Sequence, residues 1–383
     1  MTPIIRTTLL RGSALLLAFG LPALHANTYV YVSNATDGTI STYQLAEQTG
    51  KLTPGATVTA GDNVAPMAVS PDHRYLYANV DSPTHAVQTF AIDPANGALK
   101  KISQSPTGHP MAYISLDKTG NYLFASSYDD DVVTVAPIHH GVVADQPTQT
   151  LKTDRNTHSV HVDNSNRFLF AQTLGGAKVF QYRFDAQTGK ITPNDPAALD
   201  VPAGLGPRHI AFSPDNRYVY VLDELQNKVI TYSLDPATGQ LTQQAITSAL
   251  PADTTLVPGA PRFVRNPTPA QRPHADTSND IWAADIHITP DGKYLYTSER
   301  THSTLSALKV DKASGGLTLV GTYPTEKQPR GFAITPDGKY LICAGEKSDR
   351  LSVFDIDAAT GALKLNGRYP VGQDANWVEV VTF

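Results

Sequence analysis

Seven aromatic residues recur along this chain at a nearly constant interval, and each stands at the head of a short apolar run: Tyr29, Tyr75, Tyr122, Phe168, Tyr218, Tyr294 and Tyr340. The intervals between them are 46, 47, 46, 50, 76 and 46 residues, the long one marking an insertion. Six of the seven are preceded by a turn: SPDHR at Ser70, LDKTGN at Leu116, VDNSNR at Val162, SPDNR at Ser213, and TPDGK at both Thr289 and Thr335. Proline presets the first corner of such a turn, and Asn or Gly accepts the left-handed conformation that follows. A period of this length excludes an ordinary single-core fold and requires stacked, similar units.

Within each period the hydrophobicity alternates through four short segments. The turn DPATGQL at Asp235, or DAATGAL at Asp357, separates the last two. No helical period is evident outside the N-terminus. The chain is therefore expected to be all-β, a seven-bladed β-propeller with four-stranded antiparallel blades. Seven second strands but only six first strands precede the last turn. The missing copy is the C-terminal run from Gln373 to Phe383, which should complete the first blade and close the ring. With 41% hydrophobic and 17% charged residues the chain has the composition of a folded domain.

Residues 1–26 carry Arg6 and Arg11, an apolar run from Ser13 to Leu21, and the small-residue ending Leu24-His-Ala26, the pattern of a cleaved secretory signal. The domain then spans 27–383, and the protein is expected in the periplasm, without membrane insertion once the signal is removed. Loss of the two arginines leaves 28 basic against 35 acidic residues, a net charge of −7. Nucleic acid is an improbable partner for such a surface. Cys343, the only cysteine, excludes an intramolecular disulfide and reads as a core residue. The insertion at about 250–281 has the proline-rich composition of a long loop, able either to cover one end of the ring or to decorate its side. Asp129–Asp131 and His139-His140 read as solvated turn residues, since no ligand spacing repeats.

Comparing the repeats position by position locates a candidate site. At the head of the innermost strands stand Asn376, Met67, Met111, His158, Arg208, Asp285 and Arg330. At the end of the second strands stand Ala35, Asp81, Tyr128, Leu174, Glu224, Arg300 and Glu346. Both sets are expected at one mouth of the central channel, ionisable in blades four to seven and apolar opposite, where Met67 and Met111 lie. Guanidinium groups there can stabilise an oxyanion, a carboxylate can activate water, and a histidine can move a proton. The absence of a Gly-X-Ser-X-Gly elbow argues against a serine nucleophile.

The segments THSV at His158, GPRHIAFSPDNRYVYVLDEL from Gly206, ITPDGKYLYTSER from Ile288 and QPRGFAITPDGKYL from Gln328 resemble the seven-bladed propeller lactonases, the family of bacterial 6-phosphogluconolactonase and fungal carboxymuconate cyclase. The resemblance covers the whole chain after the signal. It implies that His158, Arg208, Glu224 and Arg300 are active-site residues. Asp223 and Glu299 depart from the asparagines more usual before Glu224 and Arg300, and should make the site more acidic. The expected activity is hydrolysis of an unphosphorylated sugar 1,5-lactone such as gluconolactone, because phosphorylated sugar lactones are cytoplasmic. Glu224 is the expected base, Arg208 and Arg300 the oxyanion stabilisers, and His158 an acid or anchor. Asp285, Arg330, Glu346 and Asn376 are expected to bind substrate. No cofactor is expected; three arginines at the mouth disfavour a divalent cation. Two alternatives are a non-catalytic propeller that binds a protein or glycan partner, and a cycloisomerase acting on a dicarboxylic lactone. Oligomeric state is not legible.

Overall fold

A computed structural model describes residues 27–81, 84–262 and 275–383. The signal expected at 1–26 and the middle of the insertion lie outside the described residues. Every regular element described is a strand, and the strands form seven antiparallel sheets, the blades of a propeller. Blade five shows why the repeat folds as it does. Pro207–Phe212 runs along the channel, and the chain reverses at Ser213-Pro-Asp-Asn, where Asn216 adopts φ 59°. Tyr218–Asp223 returns, with Tyr218 N donating to Ser213 Oγ at 2.9 Å. The left-handed corner recurs at His73, Gly120, Asn166, Gly292 and Gly338.

The ring closes as the repeat count requires. Ala375–Thr382 pairs antiparallel with Thr28–Asn34 and becomes the innermost strand of blade one. Phe383 N donates to Asn27 O at 3.0 Å, and the Thr28 and Thr382 hydroxyls are 2.8 Å apart. Blade three departs from the four-strand plan. Its outermost position is split between Val142–Val143 and Gln149–Lys152, which pair with opposite ends of Val132–His139.

The core consists of separate apolar layers between blades. One layer joins Val30 and Val32 of blade one to Ile342 and Val353 of blade seven, so closure buries surface as well as forming a ladder. Cys343 is buried in the neighbouring layer. A second device repeats around the whole ring. The aromatic residue that heads each second strand lies against a glycine in the last turn of the next blade: Tyr29 on Gly97, Tyr75 on Gly141, Tyr122 on Gly189, Phe168 on Gly239, Tyr218 on Gly315, Tyr294 on Gly361, and, across the closure, Tyr340 on Gly50. All seven glycines have positive φ, and a Cβ at any of them would overlap the ring.

Candidate active site

Side chains reach the channel mouth through β-bulges. In blade five Pro207 pairs with Asp223 and His209 with Leu222, which leaves Arg208 as the extra residue. A bulge aims one side chain away from the alternation of its strand. The same irregularity lies at His158, Arg330 and Asn376. In blade six, however, the counterpart of Arg208 counted back from the turn is Ala284, and Asp285 corresponds to His209. Asp285 is therefore not at the mouth with the other predicted residues but one step deeper in the channel. Met67 and Met111 are likewise displaced: both are buried in interblade layers, and by the same count Ala65 and Ala112 occupy the rim positions.

Three of the expected residues form one cluster. Glu224 Oε2 accepts from Arg208 Nε at 2.8 Å and from Arg300 Nη2 at 3.0 Å. Glu224 Oε1 accepts from none of the described residues. Arg208 Nη1 donates to Ala284 O, an approach the small side chain of residue 284 permits, and to His209 Nε2 at 3.0 Å. Arg300 donates from Nε to Trp282 O at 3.1 Å and from Nη2 to Ala283 O at 3.0 Å. These bonds leave Arg208 Nη2 and Arg300 Nη1 without an acceptor among the described residues. The three side chains are almost sealed, at 1%, 5% and 2% exposure for Arg208, Glu224 and Arg300. Burial, and after it Arg208, pulls Arg300 down to about 9, so it is still cationic at neutral pH.

His158 stands beside this cluster, its ring 5.1 Å from His209 and 5.6 Å from Tyr128. Burial first, and the charge of Arg208 second, push it well below 6.5, so its imidazole is neutral under physiological conditions. Its Nδ1 is buried without a hydrogen-bond partner among the described residues. Asn376 Oδ1 accepts from Ser33 Oγ at 2.9 Å. Arg330 donates to Glu346 Oε1 at 3.2 Å, and Gln328 donates to Glu346 Oε2. Burial opposes ionisation of Glu346, but Arg330 and Arg300 outweigh it and hold the carboxyl below its ordinary value.

Asp223 and Glu299 do not enlarge the acidic surface of the site. Asp223 accepts from the backbone N–H groups of Gly206, Leu225 and Gln226, and Glu299 from those of Trp282, Thr301 and His302. Both carboxylates cap turns and are fully buried.

A cavity of ≈ 720 Å³ opens next to the cluster, lined by Trp282, Gln328, Arg330, Glu346, Lys347 and Asp374. Trp282 forms its boundary with the buried trio. The Arg300 guanidinium lies 3.7 Å from the centre of the Trp282 ring, and that of Arg262, from the insertion, 3.8 Å from it. Tyr128 of blade three donates to Arg262 O at 2.7 Å. The described part of the insertion thus covers the mouth rather than decorating the outside. This cover was not legible in sequence, because nothing in a lone Arg or Trp marks them as neighbours.

Below the mouth, a tier of rings crosses the channel. Tyr113 lies 5.0 Å from His209 and 5.2 Å from Trp377, and His209 and Trp377 are 6.0 Å apart. A second cavity of ≈ 570 Å³ lies at the far end, lined by Tyr113, His161, His209, Asp285, His287 and Glu379. Among the described residues no group of three or more His, Cys, Asp or Glu side chains is arranged to hold a metal ion.

Comparison with known proteins places this architecture. The family model described as lactonase, 7-bladed beta-propeller, matches residues 29–380. The 6-phosphogluconolactonase of Pectobacterium carotovorum is 37% identical over 306 residues, covering 80% of this chain and 84% of that protein. The enzyme of the same name from Serratia proteamaculans is 34% identical over 305 residues, with the same coverage. The solved structure of the periplasmic gluconolactonase of Pseudomonas aeruginosa superimposes with a TM-score of 0.80 at 27% identity, over 93% of this chain and 99% of that one.

Proposed function

The chain belongs to the lactonase family of seven-bladed β-propellers, a lactone-hydrolysing enzyme rather than a non-catalytic scaffold, and from that premise we propose that it opens an unphosphorylated sugar 1,5-lactone of the gluconolactone type. The observation that carries the reading is one carboxylate, Glu224, that spends a single oxygen on two arginines and has no donor on the other among the described residues. In the proposed mechanism Glu224 Oε1 takes a proton from water, and the water oxygen attacks the lactone carbonyl carbon. The unused N–H groups of Arg208 and Arg300 receive the negative charge that develops on the carbonyl oxygen. The tetrahedral centre collapses with cleavage of the bond to the ring oxygen. That oxygen recovers the proton from Glu224, and the product is the open-chain aldonic acid. His158, neutral, serves as a hydrogen-bonding anchor and not as a proton-donating imidazolium. Arg330 and Glu346, which line the adjoining cavity, and Asn376 bind the sugar hydroxyls, and the arginines supply the electrophilic charge.

Support for an unphosphorylated substrate comes from the open cavity. Its charged lining sets Arg330 and Lys347 against Glu346, Asp349 and Asp374, which leaves no excess of cations for a phosphate dianion. The sequence of residues 1–26 and the similarity to a periplasmic gluconolactonase support an exported enzyme. Titrating acid release from gluconolactone and from its 6-phosphate tests the reading. The expected kcat/KM is about tenfold or more higher for the unphosphorylated lactone, and unchanged by a chelator. Preference for the phosphorylated lactone, or no hydrolysis of either, would overturn it. In labelled water the new carboxylate should carry one solvent oxygen; its absence would point to a cycloisomerase.

A further inference from the structure

We infer that Asp285 and His209 are positioning residues for catalysis: Asp285 fixes the tautomer of His209, and His209 in that tautomer holds the Arg208 guanidinium against Glu224. The inference rests on the proposed role of Glu224 and Arg208, and it begins from a chain of hydrogen bonds that crosses the channel wall. Arg208 Nη1 lies 3.0 Å from His209 Nε2, and His209 Nδ1 lies 2.8 Å from Asp285 Oδ1. Asp285 Oδ2 lies 3.0 Å from His287 Nε2, and it also accepts from Phe332 N at 3.3 Å.

The two outer members leave the histidine no choice. A guanidinium N–H can only donate, so Nε2 must accept; an ionised carboxylate can only accept, so Nδ1 must carry the hydrogen. His209 is then a neutral imidazole protonated on Nδ1. Burial, and after it Arg208, lower its pKa to about 3, which agrees with that assignment. Asp285 is pulled below the usual carboxylate range, against its burial, by His287 and by the bond from His209. The remaining hydrogen bond to the Asp285 carboxylate is also a donor: Ile286 N reaches Oδ1 at 2.9 Å. The carboxylate is therefore committed to orientation and does not face the mouth.

The consequence for Arg208 is geometric. Nη1 is held by His209 and Ala284 O on one side, which turns Nε toward Glu224 Oε2 and Nη2 toward the unoccupied side of the cluster. Without an acceptor at His209 Nε2, that fork can rotate. Small displacements of an oxyanion stabiliser weaken the transition state more than the bound ground state.

The test compares Asp285→Ala, Asp285→Asn, His209→Phe and His209→Gln with the parent on gluconolactone, each variant's folding being checked by its melting transition. Asp285→Ala and His209→Phe are expected to lower kcat about 10- to 100-fold with KM within about threefold. Asp285→Asn, whose amide oxygen can still accept from Nδ1, and His209→Gln, whose amide oxygen can still accept from Arg208, should recover most of that loss. Nitrogen-15 spectra of the parent, with the His209 signals assigned by their loss in His209→Phe, should show the Nδ1–H tautomer at neutral pH. The inference is overturned by the Nε2–H tautomer or an imidazolium at His209, or by folded Asp285→Ala and His209→Phe enzymes with unchanged kcat. A parent inactive on every lactone, with the Nδ1–H tautomer in place, would instead remove the proposed catalytic role and leave the tautomer assignment standing.

Discussion

In the proposed mechanism Glu224 does two jobs, base and partner of two buried arginines, and they separate by measurement. Glu224→Gln removes the base while keeping the shape of the side chain, so kcat/KM on gluconolactone should fall by about a hundredfold or more. The same change leaves Arg208 and Arg300 buried against a neutral amide. Removing one partner of a buried ion pair costs about 3–5 kcal/mol, so the melting temperature should also fall. If the variant retains parental kcat/KM, Glu224 is not the base. At the far end of the channel, Glu379 offers a pH signature. Burial raises its carboxyl from an ordinary 4.5 to about 7, against the bond from Trp377 and the charge of His287. An acid whose folded-state pKa is raised favours the folded state when protonated, so its stabilising contribution is lost as pH climbs from 4.5 through about 7. Glu379→Gln should flatten this segment of the melting temperature against pH relative to the parent. Asp285 and His287 titrate in both proteins and largely cancel in the difference.

At the scale of the element, the bulge and the clasp of aromatic on glycine divide the work. Bulges choose which residue faces the mouth, and clasps fix each blade to the next. Gly239→Ala would place a methyl against Phe168 at φ +74°, and we expect a loss of about 1–3 kcal/mol. Gly108→Ala is the control: its φ is +72° but nothing lies within 4 Å of the added carbon, so only the smaller backbone term applies. Equal melting temperatures for the two variants would show that the clasp contributes nothing. Both partners of two clasps stood out in the sequence, the aromatic as the repeat marker and the glycine in the Ala-Thr-Gly turns at Gly239 and Gly361. Their meeting did not, because sequence periodicity carries no information about which neighbour a blade touches. The misplaced residues, Asp285, Met67 and Met111, are a matter of register. Counting back five residues from each turn places His158, Arg208 and Arg330 at the mouth; the same count in blade six gives Ala284, so the position expected for Asp285 is one residue off and its side chain lies in the channel wall. A shift of one residue reverses the direction of a side chain, so a count one residue off carries a side chain from the mouth to the wall.

For the whole molecule, the strand Ala375–Thr382 is the element on which closure depends. A chain ending before residue 375 would leave Thr28–Asn34 as an open edge and expose its layer with Val378 and Val381. Such a chain should aggregate or lose its cooperative melting transition, which calorimetry would register; an intact transition would mean that the ring tolerates a three-stranded blade. The sevenfold repeat and this closure were legible from the aromatic spacing, since a missing first strand at one end and a spare one at the other admit few alternatives. The tier of Tyr113, His209 and Trp377 was not, for its rings come from three blades and touch only where the ring narrows. That tier sets three rings, with centroids 5.0, 5.2 and 6.0 Å apart, between the mouth and the far cavity. With rings across the passage, the lactone and the acid it becomes are expected to share the mouth and its binding groups, so product-inhibition kinetics should show the acid competing with its own precursor, and traffic through the enzyme runs in turn rather than in procession.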